Sequence, residues 1–210
     1  MSDELQQREG GTGPARGRRL SSEARRAQLL DCALTVFARR GLGEGRHAEI
    51  AEEAAVAVPT VFVYFPTREA LVDSVLDEVA RFLIEMGEHV HSQAKPAHEI
   101  LRDHIVAFTD SVESHPAYAR VWLDWSTAIR EKVWDRYLQF EEGMIAIVRR
   151  TLERGQREGT ISHEADADDQ ARLLVGSAHM LAQMKFAGRP RDKVEHFIRT
   201  LMGAVLGHGV

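Results

Sequence analysis

The sequence has a single cysteine, no long apolar run and no stretch in which apolar and polar residues alternate. One thiol, that of Cys32, cannot form an internal disulfide, and its apolar helical surroundings favour a small core residue. The apolar runs fall far short of the roughly 20 residues that span a bilayer, so no membrane helix is expected. Residues 1–19 contain no apolar secretory segment, and a cytoplasmic protein is therefore expected.

Because no period of two is present, helical spacing of apolar residues is the dominant pattern, and it predicts an all-α protein. Ser21 or Ser22 is expected to cap a first helix that ends at Gly41. Thr67 is expected to cap a long fourth helix that runs towards His91. Further helical stretches continue towards the C-terminus, so about nine helices are expected.

Residues 47–68 predict two short helices joined by a tight turn. In the first helix Ile50, Ala51 and Ala54 recur at helical spacing. The second opens at Pro59, because a fixed φ and a missing N–H are tolerated at a first helical position. This arrangement is typical of a helix-turn-helix.

The second of these helices is expected to pack through Val61, Phe62 and Phe65. Its other face then presents small, branched and phenolic side chains, which suit a DNA groove better than water. Arg46 and His47 lie at the start of the preceding helix. The side chains predicted to contact DNA from these helices are Arg46, His47, Pro59, Thr60, Val63 and Tyr64.

The formal net charge of −5 is unfavourable for a DNA-binding protein until it is divided along the chain. Residues 1–70 hold ten arginines and ten acidic residues, so the remainder carries the whole negative charge. Eight of those arginines fall within residues 14–46. Phosphates respond to local charge, so this part of the chain is expected to face DNA. Arg18 and Arg19, in a disordered basic arm over residues 1–20, can enter a minor groove; the alternative is a solvated tail.

The last two predicted helices carry apolar and small residues and are joined by a short loop. Such a hairpin can pair with its own copy to form a four-helix interface. The alternative is that the stripe packs only on its own subunit. The residues predicted to dimerise are Leu174, Ala178, Leu181, Val194, Phe197, Ile198, Leu201 and Val205.

No group of residues predicts catalysis or a metal site. His98 and Glu99 begin a zincin-like motif, but Arg102 occupies the position of the second histidine. The acidic residues of 166–169 lack the glycine and the final glutamate of a calcium loop. No nucleophile elbow is present either. An enzyme is therefore not expected, and no cofactor is implied.

These features resemble the TetR family of transcriptional regulators from end to end, and within it the LuxR/HapR/SmcR-type quorum-sensing regulators. Four stretches carry the resemblance: FARRGLGEGRHAEIAE (37–52), TVFVYFPTREALVDSVL (60–76), VWLDWSTAIREKVW (121–134) and ERGQREGTI (153–161). The resemblance implies a helix-turn-helix DNA-binding domain over residues 21–66 and a ligand-binding and dimerisation domain over residues 67–210. It also implies a homodimer that binds a pseudo-palindromic operator.

Matched residue by residue, the resemblance implies contacts of Thr60 and Tyr64 with base edges or phosphates. Thr67 and Arg68 would contact phosphates at the start of the fourth helix. Arg18 and Arg19 match the basic arm that this subgroup inserts into the minor groove.

Two residues depart from the subgroup's pattern, which has a serine before the recognition helix and an asparagine within it. This chain has Ala57 and Val63 at these positions. Asparagine can bond adenine through two hydrogen bonds, whereas valine offers only a methyl contact to thymine, so base preference is expected to differ. Val58 is also a poor cap, so N–H groups at the start of the helix are expected to remain available to phosphate.

The resemblance places an effector cavity among the fourth to seventh helices, where aromatic and methionine side chains cluster. Trp122 and Trp125, with Asp124 and Ser126 beside them, would supply apolar walls and a few polar groups. The alternative is ordinary core packing. The residues predicted to line the cavity are Phe82, Met86, Phe108, Trp122, Trp125, Tyr137, Phe140 and Met144.

A protein of a different class stays open at this point, a non-catalytic helical adaptor. In such a protein the exposed Val63 and Tyr64 would contact a protein partner rather than DNA. The salt dependence of binding distinguishes a DNA-binding protein from such an adaptor, because DNA binding through several phosphates weakens steeply between about 50 and 200 mM salt.

Overall fold

The structure is a computed structural model that describes residues 20–129, 132–164 and 166–206. In these ranges the chain forms nine α-helices and no strand, which confirms the all-α prediction. Arg18 and Arg19 lie outside the described residues. The helices are α1 Ser22–Arg40, α2 His47–Glu53, α3 Val58–Tyr64, α4 Arg68–His91, α5 Ala97–Ser114, α6 Pro116–Ser126, α7 Trp134–Arg157, α8 Ala167–Phe186 and α9 Arg191–Leu206.

The first three helices form a small unit, called the head below, with its own apolar core. Phe37, Ile50, Val61 and Phe65 meet in that core, and each is at most 1% exposed. Gly45 lies against the ring of Phe37, where an added Cβ would come within 2.7 Å of two ring carbons. A glycine is therefore needed for the loop after α1 to approach the core this closely.

Helices α4 to α9 form the rest of the protein, called the body below. The 24 residues of α4 span roughly 36 Å, so this helix begins beside the head and ends deep in the body. Helices α5, α7 and α8 pack together, and α6 and α9 pack against them. None of the helices in the described ranges is long and apolar enough to cross a membrane.

Two hydrogen bonds join the head to the body at the turn after α1. Asp124 Oδ2 on α6 accepts from the backbone N–H of Leu42 at 2.5 Å. The guanidinium of Arg68, at the start of α4, donates to the carbonyl of Leu42. Because α1 also packs directly on α6, the position of the head follows the positions of α4 and α6.

Several helix ends follow the predicted capping residues. Ser21 accepts from the N–H of Ala24 at 3.1 Å and Thr67 from that of Ala70 at 3.1 Å. The recognition helix, however, begins at Val58 rather than at Pro59, because Ala57 is the residue with extended backbone before it. Proline thus occupies the second helical position, where its missing N–H also has no intrahelical partner.

Candidate nucleic-acid interface and ligand cavity

Helix α3 exposes one face of the head. Val63 is 76% exposed, and Pro59 is also on the surface, whereas Thr60 and Tyr64 are half-buried. On the opposite face Val61 anchors the helix in the core of the head. This face carries the four residues of α3 that the sequence predicted to contact DNA.

The prediction that Phe62 packs inside the head is wrong. Its side chain is 46% exposed and its ring stacks on the ring of His47, with centroids 4.2 Å apart and planes 5° from parallel. Val61 and Phe65 lie four residues apart, about one helical turn, so their side chains point to the same face. Together they already fill the inner face of so short a helix. Phe62 therefore adds an apolar ring to the outer surface.

His47, which the sequence predicted to contact DNA, lies inside the head. It is 8% exposed, and its Nε2 lies 2.8 Å from the carbonyl oxygen of Phe65. A carbonyl only accepts, so Nε2 carries the hydrogen and donates. His47 thus ties the start of α2 to the end of α3 and supports the ring of Phe62.

The turn between α2 and α3 has a geometry that fixes their relative orientation. The N–H of Val56 donates to the carbonyl of Ala51 at 2.9 Å, and the N–H of Ala55 donates to that of Glu52 at 3.1 Å. These two bonds form a Schellman motif, whose central residue is left-handed. Here that residue is Ala55, at φ 51°, the one non-glycine residue with positive φ in the described chain.

The start of α3 offers fewer free N–H groups than the sequence suggested. Ala57 caps it without a side-chain hydrogen bond, and Pro59 has no N–H. The N–H of Thr60 bonds the carbonyl of Ala57 at 2.8 Å. The backbone N–H of Val58 therefore remains without a hydrogen bond in this turn. A single N–H does not make an anion site of several backbone groups.

The cations around α3 differ in how far they are already paired. Arg39 and Arg40 pair with Glu53 and Glu49 across α1 and α2, at 3.3 and 2.7 Å. Arg46 is exposed and has no ion pair in the described chain. The charge of Arg46, which directly precedes α2, is therefore not offset by a carboxylate.

Thr67 and Arg68 meet at the junction between α3 and α4. The hydroxyl oxygen of Thr67 caps α4, which leaves its O–H free to donate outward. Arg68 is exposed, although one of its nitrogens bonds Leu42. Both side chains can therefore donate to a phosphate while keeping their structural bonds.

A cavity of about 40 Å³ lies among α4, α5, α6, α7 and α8. Five of the eight predicted lining residues contribute to its wall. The full lining is Leu83, Met86, His104, Ile105, Phe108, Trp122, Phe140, Met144, Leu174, Val175, Ser177, Ala178 and Leu181.

The other three predicted lining residues, Phe82, Trp125 and Tyr137, lie outside this wall. Phe82 packs on Tyr118, with ring centroids 4.5 Å apart. The indole N–H of Trp125 donates to the carbonyl of Val133 at 2.9 Å, and Tyr137 O–H donates to Glu141 at 3.1 Å. Phe82 thus stabilises the packing of α4 on α6, and Trp125 and Tyr137 that of α6 on α7.

The polar groups predicted beside the tryptophans are also engaged elsewhere. Asp124 bonds Leu42 of the head, as described above. Ser126 O–H donates to the carbonyl of Leu123 in its own helix at 2.7 Å.

A buried polar residue of the cavity wall is His104, which was not among the predicted lining residues. His104 is 7% exposed, and its Nδ1 lies 3.2 Å from Nε2 of His91. Burial lowers the pKa of His104 to about 4. Burial, then the charges of His104, Arg150 and Arg154, lower the pKa of His91 to about 3. Both rings are therefore neutral near pH 7.

Three residues predicted to dimerise line the cavity instead, namely Leu174, Ala178 and Leu181. Of the remaining five, three are buried within the subunit and two are half-buried. The buried ones are Val194, Leu201 and Val205, and the half-buried ones are Phe197 and Ile198. An apolar stripe indicates that a helix face is buried but not which element covers that face. Here α5 and α7 cover much of the stripe.

Comparison with known proteins gives the chain a family. The family model described as "Bacterial regulatory proteins, tetR family" matches residues 29–75, which contain α2 and α3. The HTH-type transcriptional regulator LuxR of Vibrio harveyi is 34% identical over 189 residues, covering 90% of this chain and 90% of that protein.

Solved structures share the fold. A TetR-like transcriptional regulator from Rhodococcus sp. RHA1 superimposes with a TM-score of 0.75 at 20% identity, over 91% of this chain and 100% of the other. FadR from Bacillus subtilis, in complex with stearoyl-CoA, does so with a TM-score of 0.71 at 20% identity, over 88% and 98% of the two chains. The relatives are transcriptional regulators and not enzymes, and this chain belongs to the TetR family as a DNA-binding transcriptional regulator.

Proposed function

We propose that the protein binds a pseudo-palindromic DNA operator as a homodimer, with α3 of each subunit in a major groove. The exposed apolar face of α3 carries this proposal. Of the ten large hydrophobic side chains exposed in the described chain, Val58, Phe62 and Val63 lie on this seven-residue helix. Such a concentration is costly in water and needs a partner surface.

The chemistry of this face fits the major groove. Valine and phenylalanine can contact the methyl group of thymine, which the major groove presents to an inserted helix. Thr60 and Tyr64 add hydroxyl groups that bond base edges or phosphates. In a dimer two such helices lie roughly 34–36 Å apart, which sets the spacing of the half-sites.

Cations and hydroxyls beside α3 supply contacts that do not depend on sequence. Arg46, Thr67 and Arg68 surround it with donors suited to phosphate, and Arg18 and Arg19 would extend the contact into the minor groove. We assign this task to a DNA-binding domain over residues 21–66, preceded by a basic arm over residues 1–20. The ligand-binding and dimerisation domain then covers residues 67–210.

The outer face of the α8–α9 hairpin is the surface proposed for dimerisation. Leu173 and Met180 are each 49% exposed on α8, with Gly176 between them on the same face. Nothing lies within 4 Å of a Cβ added at Gly176 or at Gly203 on α9, so a second copy can approach both helices closely. Pairing across these residues gives a four-helix contact.

An apolar effector in the body is proposed to regulate DNA binding. The FadR relative binds stearoyl-CoA, and the cavity here has an apolar wall. Ligand sites usually measure about 300–1,000 Å³, so a cavity of about 40 Å³ must open before it admits one. Opening displaces α4 and α6, which hold Leu42 of the head, and so changes the spacing of the two recognition helices.

Selection of bound sequences from a random DNA pool, at about 50 and 200 mM salt, tests the DNA-binding part. The expected result is a palindromic motif bound by two subunits, with affinity that falls steeply as salt rises. A folded dimer that enriches no sequence would contradict the proposal. Salt-insensitive capture of a protein partner by the same face would favour the adaptor instead.

A further inference from the structure

Three hydrogen-bonding side chains form a row that ends at the cavity. Thr151 Oγ1 on α7 lies 2.7 Å from His91 Nδ1 on α4. His91 Nε2 lies 3.2 Å from Nδ1 of His104 on α5, and His104 lines the cavity. Each bond contains one hydrogen, so the direction of the first bond fixes the direction of the second.

The hydroxyl of Thr151 sets that direction. The residue is 5% exposed, and its side chain bonds only His91 in the described chain. If its oxygen accepted a hydrogen from His91, the hydroxyl hydrogen would be buried without an acceptor, which is unfavourable. Thr151 therefore donates to His91 Nδ1.

The remaining hydrogens follow from the neutrality of the two rings. A neutral imidazole carries one hydrogen, so His91 carries it on Nε2 and donates to Nδ1 of His104. His104 must then carry its own hydrogen on Nε2. This N–H has no partner in the described chain and is the ring donor available to the cavity.

The other polar groups of the wall do not offset this donor. Ser177 O–H is already directed to the carbonyl of Leu174 at 2.6 Å. Trp122 adds a second N–H without a hydrogen-bond partner among the described residues. The polar groups that the wall leaves unused are thus chiefly donors, in otherwise apolar surroundings.

We propose that the cavity recognises an uncharged, mostly apolar ligand with a carbonyl or similar acceptor oxygen that accepts from His104 Nε2. Thr151 and His91 act as positioning residues that set the hydrogen on that nitrogen. A carboxylate is disfavoured, because the neutral histidines supply no positive charge to a buried anion. The inference rests on the proposed function, in which this cavity holds the effector.

Acetophenone and ethylbenzene are a matched pair of probes, since they have nearly the same shape and only the first carries an acceptor oxygen. Titration of the full-length protein, followed by calorimetry, is expected to give acetophenone roughly 3- to 10-fold the affinity of ethylbenzene, the worth of one hydrogen bond. His104→Leu should remove the difference. The exposed His89→Gln on the same helix as His91 should keep it.

A second measurement needs no variant at the ring that contacts the ligand. Nitrogen-15 spectra of labelled protein report which ring nitrogen carries the hydrogen, and Nε2–H is expected for His104 in the wild type. Thr151→Val removes the donor that starts the row and should weaken this preference. An Nδ1–H form in the wild type would overturn the proposal.

Equal affinity for the two probes, or binding of neither, would also overturn it. DNA selection with the same preparation separates this outcome from a failure of the proposed function. Enrichment of an operator without a difference between the probes would overturn only the proposed ligand chemistry. A preference for acetophenone without enrichment of any DNA would support the ligand chemistry and overturn the proposed operator binding.

Discussion

The head and the body break the usual separation of apolar and polar side chains in opposite ways. The head exposes apolar Val58, Phe62 and Val63, whereas the body buries His104 and half-buries His91 beside it. Both arrangements lower the free energy of unfolding, because exposing apolar surface and burying polar groups are each unfavourable. Proteins keep such residues chiefly at functional sites, so the two regions point to two different partners.

The head and the body are joined at the turn after α1. The surface of the head is set by short contacts within residues 46–65, but its position depends on Leu42, which α4 and α6 hold. The position of the exposed helix relative to the body therefore depends on α4 and α6.

The largest expected effect is acid destabilisation of the body. Below pH 6.5 the unfolded chain protonates His91 and His104, while the folded chain keeps both neutral down to about pH 4. Their contribution to stability is thus complete above pH 6.5 and is lost as pH falls towards their folded pKa values. The free energy of unfolding should drop by on the order of 4 kcal/mol between pH 7 and 4.5 from these two groups.

Urea denaturation at several pH values measures that slope. His104→Leu should flatten it, and the exposed His89→Gln should leave it unchanged. A wild-type slope equal to that of His104→Leu would mean that the buried histidines are not neutral in the folded protein.

Loss of the hydrogen bond between head and body comes next. Asp124→Ala leaves the N–H of Leu42 without its acceptor and should cost about 1–2 kcal/mol, less than for a fully buried charge because Asp124 is half-exposed. Asp110→Ala, on the surface of α5, is the control for removing a negative charge. Chemical denaturation gives the cost, and a loss equal to that of the control would show that the bond does not hold the head.

His47→Ala should loosen the outer surface of the head. It removes the hydrogen bond to Phe65 and the stacking on Phe62, with an expected cost of about 1–2 kcal/mol. Hydrogen exchange of the amides of α3 should speed up locally, while that of α7 stays unchanged. Uniform loss of protection in both helices would contradict a role confined to the head.

The smallest effect is a stabilising one. Ala55 has φ 51°, and glycine adopts this conformation without strain, so Ala55→Gly should raise the free energy of unfolding by about 0.5–1 kcal/mol. Ala187→Gly, at an exposed residue with φ −78° after α8, is the control and should not stabilise. Thermal denaturation of the two variants decides whether the turn is strained.

Much of the fold was predictable because its signals are local. Ser21, Thr67 and Asp166 cap helices through their own neighbouring N–H groups, and sequence order alone brings those groups together. Gly41 and Gly159 end helices with positive φ for the same local reason.

The rest of the site depends on contacts between helices that sequence spacing does not fix. The row from Thr151 to His104 joins three helices, so no single stretch contains it. Leu174 was predicted to be buried by a second subunit, but α8 turns it towards the cavity. Phe62 was wrongly predicted to be buried. Helical spacing does not show how few residues are enough to fill the core of so small a head.

We propose that the exposed face of α3 determines which DNA sequence is bound. Selection from a random DNA pool by the wild type, by Val63→Asn and by the control Leu138→Asn tests this proposal, since Leu138 is an exposed apolar residue of α7, outside the head. We expect one operator motif for the wild type and Leu138→Asn, and a changed base, towards adenine, at one position of each half-site for Val63→Asn. The same motif for all three proteins would contradict it.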